Sequence, residues 1–248
     1  KSNGNLMEII LANEHSNENE SNIDTKIKKL SKKEKYILFI VFLNDAPIEY
    51  DDLAVMVVED DNEIRLDFEE LKSLINILCL KKILIKENDY IKIKHDSIID
   101  ALHMYMQSPI LYCAYITLKN YYNDNLETKK ISIEKLLSLY LRFSDQDLLI
   151  ILPRIKEFIL DMKYPDLIIE KLDLFRNQIL HSSANGFYGI YSLTQTIVEI
   201  CLYKKMGSIA QKNLDLIYDD TNAYHIALQA QIYSLQETMA AHDSLCDL

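Results

Sequence analysis

Apolar positions run through this chain at helical spacing, with one short interruption. Asn3–Ala12 is a brief apolar stretch. His15–Asp24 (HSNENESNID) is polar, acidic and without period, as a linker would be. Ser31 then opens a helix, because Ser31 and Glu34 stand at the S-x-x-E spacing of a capping box. The run from Tyr36 to Leu43 is continuously apolar, which predicts a central, buried helix ending at Asn44, Asp45 and Pro47. Ile48 and Tyr50 suggest a short extended piece. Asp51 is expected to cap a second helix carrying Leu53, Ala54, Met56 and Val57. Asp60–Glu63 reads as a loop, and Asp67 starts a third helix with Phe68, Leu71, Leu74, Ile75 and Leu78 on one stripe.

The period changes at Lys82–Lys94. Ile83-Leu84-Ile85, a Glu87-Asn88-Asp89 turn and the alternating Tyr90-Ile91-Lys92-Ile93-Lys94 predict a β-hairpin with a half-buried second strand. A helix capped by Asp96 follows, with Ile98, Ile99, Leu102 and Tyr105 inward. Three helices, a two-stranded wing and a further helix give a winged helix-turn-helix. From Pro109 onward everything reads as helix: Ile110–Tyr122, Ile133–Phe143, Asp147–Met162 (kinked or split at Pro153), Pro165–His181, Tyr188–Met206, Ser208–Tyr218, Ala223–Leu235 and Glu237 to the end. Short turns between such helices suit an α-solenoid of helix pairs. A weak internal echo places Leu202-Tyr203 against Ile232-Tyr233 and Ile209-Ala210 against Met239-Ala240. The expected fold is therefore mainly α. Residues 1–24 form a leading helix and linker, 25–106 the winged helix and 107–248 the helical repeats.

Composition narrows the chemistry. With 4 Gly and 4 Pro in 248 residues, the turns an all-β fold needs are missing. Gly4, Gly186, Gly189 and Gly207 write no G-x-x-x-x-G-K-[ST] and no G-x-G-x-x-G. Cys79, Cys113, Cys201 and Cys246 are dispersed among apolar residues and read as reduced core thiols, which points to the cytoplasm. No leader of the secretory kind is visible, and the longest apolar run, eight residues, is far short of a membrane span. The chain begins at Lys1 and ends in mid-pattern, so a piece of a longer protein is expected. Its net charge of -11 argues against a nucleic-acid partner, and the one basic cluster, Lys26 to Lys35, reads as a solvated helix face. The six histidines show no H-E-x-x-H and no i, i+4 pair, and there is no G-x-S-x-G. No catalytic centre and no metal site are therefore assigned.

One motif stands apart: Ile91-Lys92-Ile93-Lys94-His95-Asp96-Ser97-Ile98-Ile99-Asp100-Ala101-Leu102. By itself it is a strand, a corner and a capped helix. It also resembles the winged-helix "MHD" corner of STAND signalling ATPases, the NACHT and NB-ARC group. His95 and Asp96 match the family pattern, and Lys94 stands in place of its Met. Upstream, Gly4-Asn5-Leu6-Met7-Glu8-Ile9 resembles the G-x-P-L stretch of the family's helical lid, with Leu6 in place of the Pro that packs near adenine. The C-terminal helices resemble degenerate tetratricopeptide repeats.

The resemblance implies a switch. An ATPase core upstream in the same parent chain holds ADP or ATP, and His95 reaches a phosphate and keeps the molecule closed. The repeats bind a trigger protein or ligand, and the opened form assembles as a homo-oligomer. Many bacterial relatives act in antiphage defence and others in transcription. The family's Walker motifs would lie before Lys1, so this chain alone is not expected to hydrolyse ATP. Two other readings stand beside this one. A winged-helix transcription regulator would place the Asp67–Leu74 helix in the major groove, but Asp67, Glu69 and Glu70 would face phosphates there. A non-enzymatic interaction scaffold would use the same surfaces without nucleotide.

Overall fold

The computed structural model describes residues 23–58, 64–126, 132–163, 165–182 and 186–246. The fold is mainly helical, with one small antiparallel sheet. One compact unit ends at Asn125 and a second begins at Leu126.

In the first unit, residues 23–28 form a short helix, α1. Helix α2 spans Lys32–Leu43. Its capping box is formed: Glu34 N–H donates to Ser31 Oγ at 3.2 Å, and Ser31 N–H donates to Glu34 Oε2 at 2.8 Å. Every residue from Tyr36 to Leu43 is buried, because neighbours enclose this helix on all sides. Strand β1 is only Ile48–Glu49, and helix α3 is Tyr50–Val58. That helix begins one residue before the expected cap Asp51, since Tyr50 N–H is already bonded to Asp89 O at 2.8 Å. Helix α4, Phe68–Leu80, is capped by Asp67, whose Oδ1 accepts from Glu70 N–H at 2.8 Å. Leu71, Leu74, Ile75 and Leu78 face inward as expected, whereas Phe68, at the first turn, is 57% exposed.

Strands β2, Leu84–Glu87, and β3, Tyr90–Ile93, form the predicted hairpin. Its turn is Asn88-Asp89, with Asn88 at φ 55°, a left-handed conformation that Asn tolerates. β3 is central, and β1 adds to its free edge with Ile48 opposite Ile91, giving the order β1-β3-β2. Helix α5 is Asp96–His103. Helix α6, Pro109–Asp124, packs more extensively on α2 than any other element does. Buried Tyr36 and Thr117 share a 2.7 Å hydrogen bond, and Tyr122 donates to Asn44. The first unit therefore reaches beyond residue 106 and takes in α6, which the sequence pattern had placed with the repeats.

The second unit contains α7 (Ser132–Phe143), α8 (Leu148–Asp161), α9 (Asp166–Ser182), α10 (Gly186–Tyr203), α11 (Gly207–Leu214) and α12 (Ala223–Cys246). Among the described residues, every substantial helix–helix contact here joins elements one or two places apart in the chain. Thus α8, α10 and α12 form one row, while α7 and α9 pair behind it. Gly189 allows the close approach of α10 to α8, since a Cβ there would stand 2.7 Å from Leu149 Cδ1.

Three expectations are corrected. Of the two alternatives at Pro153, kink or split, the split is absent: the residue is the sixth of a helix that runs from Leu148 to Asp161. α11 is shorter than Ser208–Tyr218. The last two expected helices are one continuous α12, because Leu235-Gln236-Glu237 offers no breaker. The internal echo fails for the same reason. Leu202 and Ala210 straddle a helix–turn–helix, whereas Ile232 and Ala240 lie within a single helix.

Candidate functional site

β3 delivers the chain to His95. Lys94 N–H donates to Ile83 O at 3.0 Å, so the hairpin fixes the strand's exit. His95 itself, not Asp96, is the N-cap of α5, with φ -142° and ψ 143°. Its carbonyl accepts from Ile98 N–H at 3.0 Å, and its imidazole makes no capping hydrogen bond. Asp96 becomes the first helical residue, where its charge complements the helix dipole. Ile98 and Leu102 anchor α5 in the core, and the His103 ring packs edge-on against Phe42 with centroids 5.2 Å apart. The corner is thus held from below while the His95 ring is exposed. An exposed imidazole on a fixed strand-to-helix corner can donate to an anion that another body presents. Leu6, the other residue assigned from sequence, lies outside the described residues.

The lysine cluster is partly neutralised within its own unit. Lys28 pairs with Asp24 at 2.5 Å, Lys33 with Glu70 at 2.5 Å, and Lys35 Nζ donates to Lys28 O at 3.1 Å. In the wing, Lys92 pairs with Glu87 at 2.8 Å and Lys86 lies 4.8 Å from the centre of the Tyr50 ring. Lys81 pairs with Glu34. Burial pushes the Glu34 carboxyl up, but Lys81 and the Ser31 contacts outweigh it, so the group sits below the usual glutamate range.

The second unit holds polar groups that the sequence reading did not single out. Arg176 is 8% exposed; it donates to Asn213 Oδ1 at 2.6 Å and Thr194 Oγ1 at 3.3 Å, and pairs with Asp173 at 2.8 Å. The fully buried His225 accepts Asp219 N–H at Nδ1, 3.0 Å, so its neutral ring carries the proton on Nε2, 2.6 Å from Tyr191 Oη. Glu199 joins three helices: it pairs with Lys156 of α8 and accepts from Tyr224 of α12 and, at 3.1 Å, from Gln195 of its own helix. Burial raises its pKa, but these donors overcome that and hold it below the ordinary value. Burial and the Glu199 carboxylate push Tyr224 up to about 12. Beside this cluster a cleft of about 360 Å³ opens between α10 and α12, lined by Leu202, Tyr203, Leu228 and Leu235 among others. Glu199 had a signal in the sequence, since it is the one charged residue of α10.

Burial pushes the Cys201 thiol up to about 12, which makes it inert. Among the described residues no group of three or more His, Cys, Asp or Glu gathers as a metal site would require, and no helix is long and apolar enough to cross a membrane. No family model, characterised protein or solved structure matches this chain.

Proposed function

We propose that this chain is the regulatory and sensor part of a STAND-type nucleotide switch. In this reading residues 25–106 are a winged helix and the helices from α7 onward are a tetratricopeptide-like solenoid. The order α2-β1-α3-α4-β2-β3, with strand order β1-β3-β2, supports the first assignment. Helices that contact only their near neighbours in sequence support the second. The observation that carries the function is His95: an exposed imidazole, unused in capping, on a corner fixed by the hairpin and α5. An ATPase core upstream in the parent protein would present ADP, and His95 would donate to its phosphate and hold the closed state. A trigger bound to the repeats shifts the population only by preferring the open form. The parent would be the ATPase, and antiphage defence is the setting the resemblance suggests.

The test is the ADP off-rate of the natural-length protein, read with a fluorescent ADP. His95→Ala is expected to speed release by ~10-fold or more, the worth of one charge-assisted hydrogen bond. An unchanged off-rate overturns the reading. The DNA-binding alternative is disfavoured by the same contacts that neutralise the lysines, because Lys33 is engaged by Glu70 of α4 and Lys92 by Glu87. Salt-sensitive binding of this chain to duplex DNA would reverse that ranking.

A further inference from the structure

We propose that His225 is a proton-operated clasp on the turn between α11 and α12: its neutral ring holds the turn by the Asp219 backbone N–H, and its charged ring exchanges that bond for one to the Asp219 carboxylate. The ring is fully buried, with the Tyr191 ring centred 5.4 Å away and the Tyr218 ring stacked at 6.3 Å. Its two nitrogens are engaged differently. Nε2–H faces Tyr191 Oη at 2.6 Å, and that oxygen also accepts from Asn222 Nδ2 at 3.2 Å. Nδ1 is an acceptor, taking Asp219 N–H at 3.0 Å. A second proton leaves the Nε2 side as it is, because Nε2 donates in both states. At Nδ1 it removes the lone pair and sets two donors against each other, in a place closed to water where an unmade bond is costly.

The turn itself carries the replacement acceptor. Asp219 Oδ1 takes Thr221 N–H at 2.9 Å and the Thr221 hydroxyl at 2.6 Å. Those two donors, together with attraction to the His225 ring, hold the Asp219 carboxyl below the usual aspartate range, so it is ionised wherever an imidazole titrates. The other groups around the ring offer no rival. From α10 the titratable side chain on it is Tyr191, and from the turn they are Tyr218 and Asp219. α11 meets α12 through the uncharged amides of Gln211 and Gln229, 3.0 Å apart. Elsewhere on these elements Glu199 is held by Lys156 and Tyr224, and Lys212, Asp215 and Asp220 are exposed. α12 has no Asp, Glu, Lys or Arg before Glu237. Turning the Asp219 carboxylate to Nδ1–H breaks both Thr221 contacts. The turn thus has two arrangements, and one proton chooses between them. The device lies in the second unit and does not depend on the nucleotide reading of His95.

NMR of the chain between about pH 8 and pH 5, the span over which histidines change charge, tests the proposal. In long-range proton–nitrogen spectra, His225 is assigned by the signals missing from His225→Gln. It is expected to carry a proton on Nε2 alone at the upper end and on both nitrogens at the lower. Over the same step the Asp219 amide is expected to lose ~10-fold or more of its protection from exchange, corrected for the intrinsic rate, as the loss of one hydrogen bond allows. The Met206 amide, bonded to Cys201 O at 2.7 Å in the same unit, is expected to keep its own. Asp219→Asn retains the backbone N–H and an oxygen for Thr221 but removes the charge. The ring's midpoint should then lie at lower pH, because the imidazolium has lost its counter-ion. A ring still neutral at the acid end, an Asp219 amide equally protected at both ends, loss of Met206 protection together with that of Asp219, or an unshifted midpoint in Asp219→Asn overturns the proposal.

Discussion

The two units are held together by different means. In the first, local side chains mark the ends of the elements: Ser31 and Glu34 at α2, Asp67 and Glu70 at α4, Asn88 in the hairpin. The apolar run of α2 then supplies the core. In the second, cross-links between distant residues set the arrangement: Arg176 to Asn213, Lys156 to Glu199, His225 to Tyr191, and Lys204 to the Leu160 carbonyl at the end of α8. The first unit has buried links as well, Tyr36 to Thr117 and Tyr122 to Asn44, but these join uncharged groups, and the loss of one partner costs less there. Where the helices of the second unit share ionised side chains, removing one partner strands a charge away from water.

Substitutions should expose that contrast. The largest effect is expected from Arg176→Ala, which leaves Asn213 and Asp173 without their partner and should cost ~3–5 kcal/mol in chemical denaturation. Tyr36→Phe in the first unit removes only the hydroxyl bonded to Thr117 and should cost ~1–3 kcal/mol. Ser31→Ala, which breaks the capping box, should cost ~1 kcal/mol. Lys205→Gly should stabilise by ~0.5–1 kcal/mol, because Lys205 holds a left-handed φ of 59° at the end of α10.

Acid gives a further comparison. The Glu199 carboxyl is held below its ordinary value of 4.5 when folded. Its contribution is therefore present above that value and lost as pH falls through the lower folded value. Glu199→Gln should flatten the acid limb of the helical signal; an identical limb in variant and wild type would remove Glu199 as the tether of α8 and α12.

Local punctuation made the first unit legible from sequence. The capping pairs, the alternation in Tyr90–Lys94 and the apolar run of α2 each act within a few residues of the feature they specify. Two cues misled there. Phe68 fits the apolar stripe but falls at the exposed first turn, and α6 reads as the start of a repeat although Tyr36 and Asn44 bind it to α2. The second unit was legible as helices and little more. Its helix ends escape the usual signal because α7 and α10 close with Ser144 and Lys205 in the left-handed position where glycine is expected, as α4 does with Lys82. Met206 N–H to Cys201 O, 2.7 Å, and Asp145 N–H to Tyr140 O, 3.1 Å, complete those turns. Arg176 and His225 look like surface residues in one dimension, since Asn213 and Tyr191, which they meet in the interior, lie tens of residues away. For the candidate site, sequence placed His95 at the strand-to-helix corner; that its ring is exposed and does not cap the helix required the fold.

The exposed position of His95 makes its replacement neutral for stability, within ~0.5 kcal/mol, so any loss of nucleotide would report on the latch alone. The decisive measurement is the ADP carried by the natural-length protein after purification, compared with His95→Ala. A wild type that retains bound ADP and a variant that has lost most of it, with equal thermal stability of the nucleotide-free forms, is the predicted result. A wild type without nucleotide, or a variant that keeps as much as the wild type, would contradict the assignment of His95 as a phosphate latch.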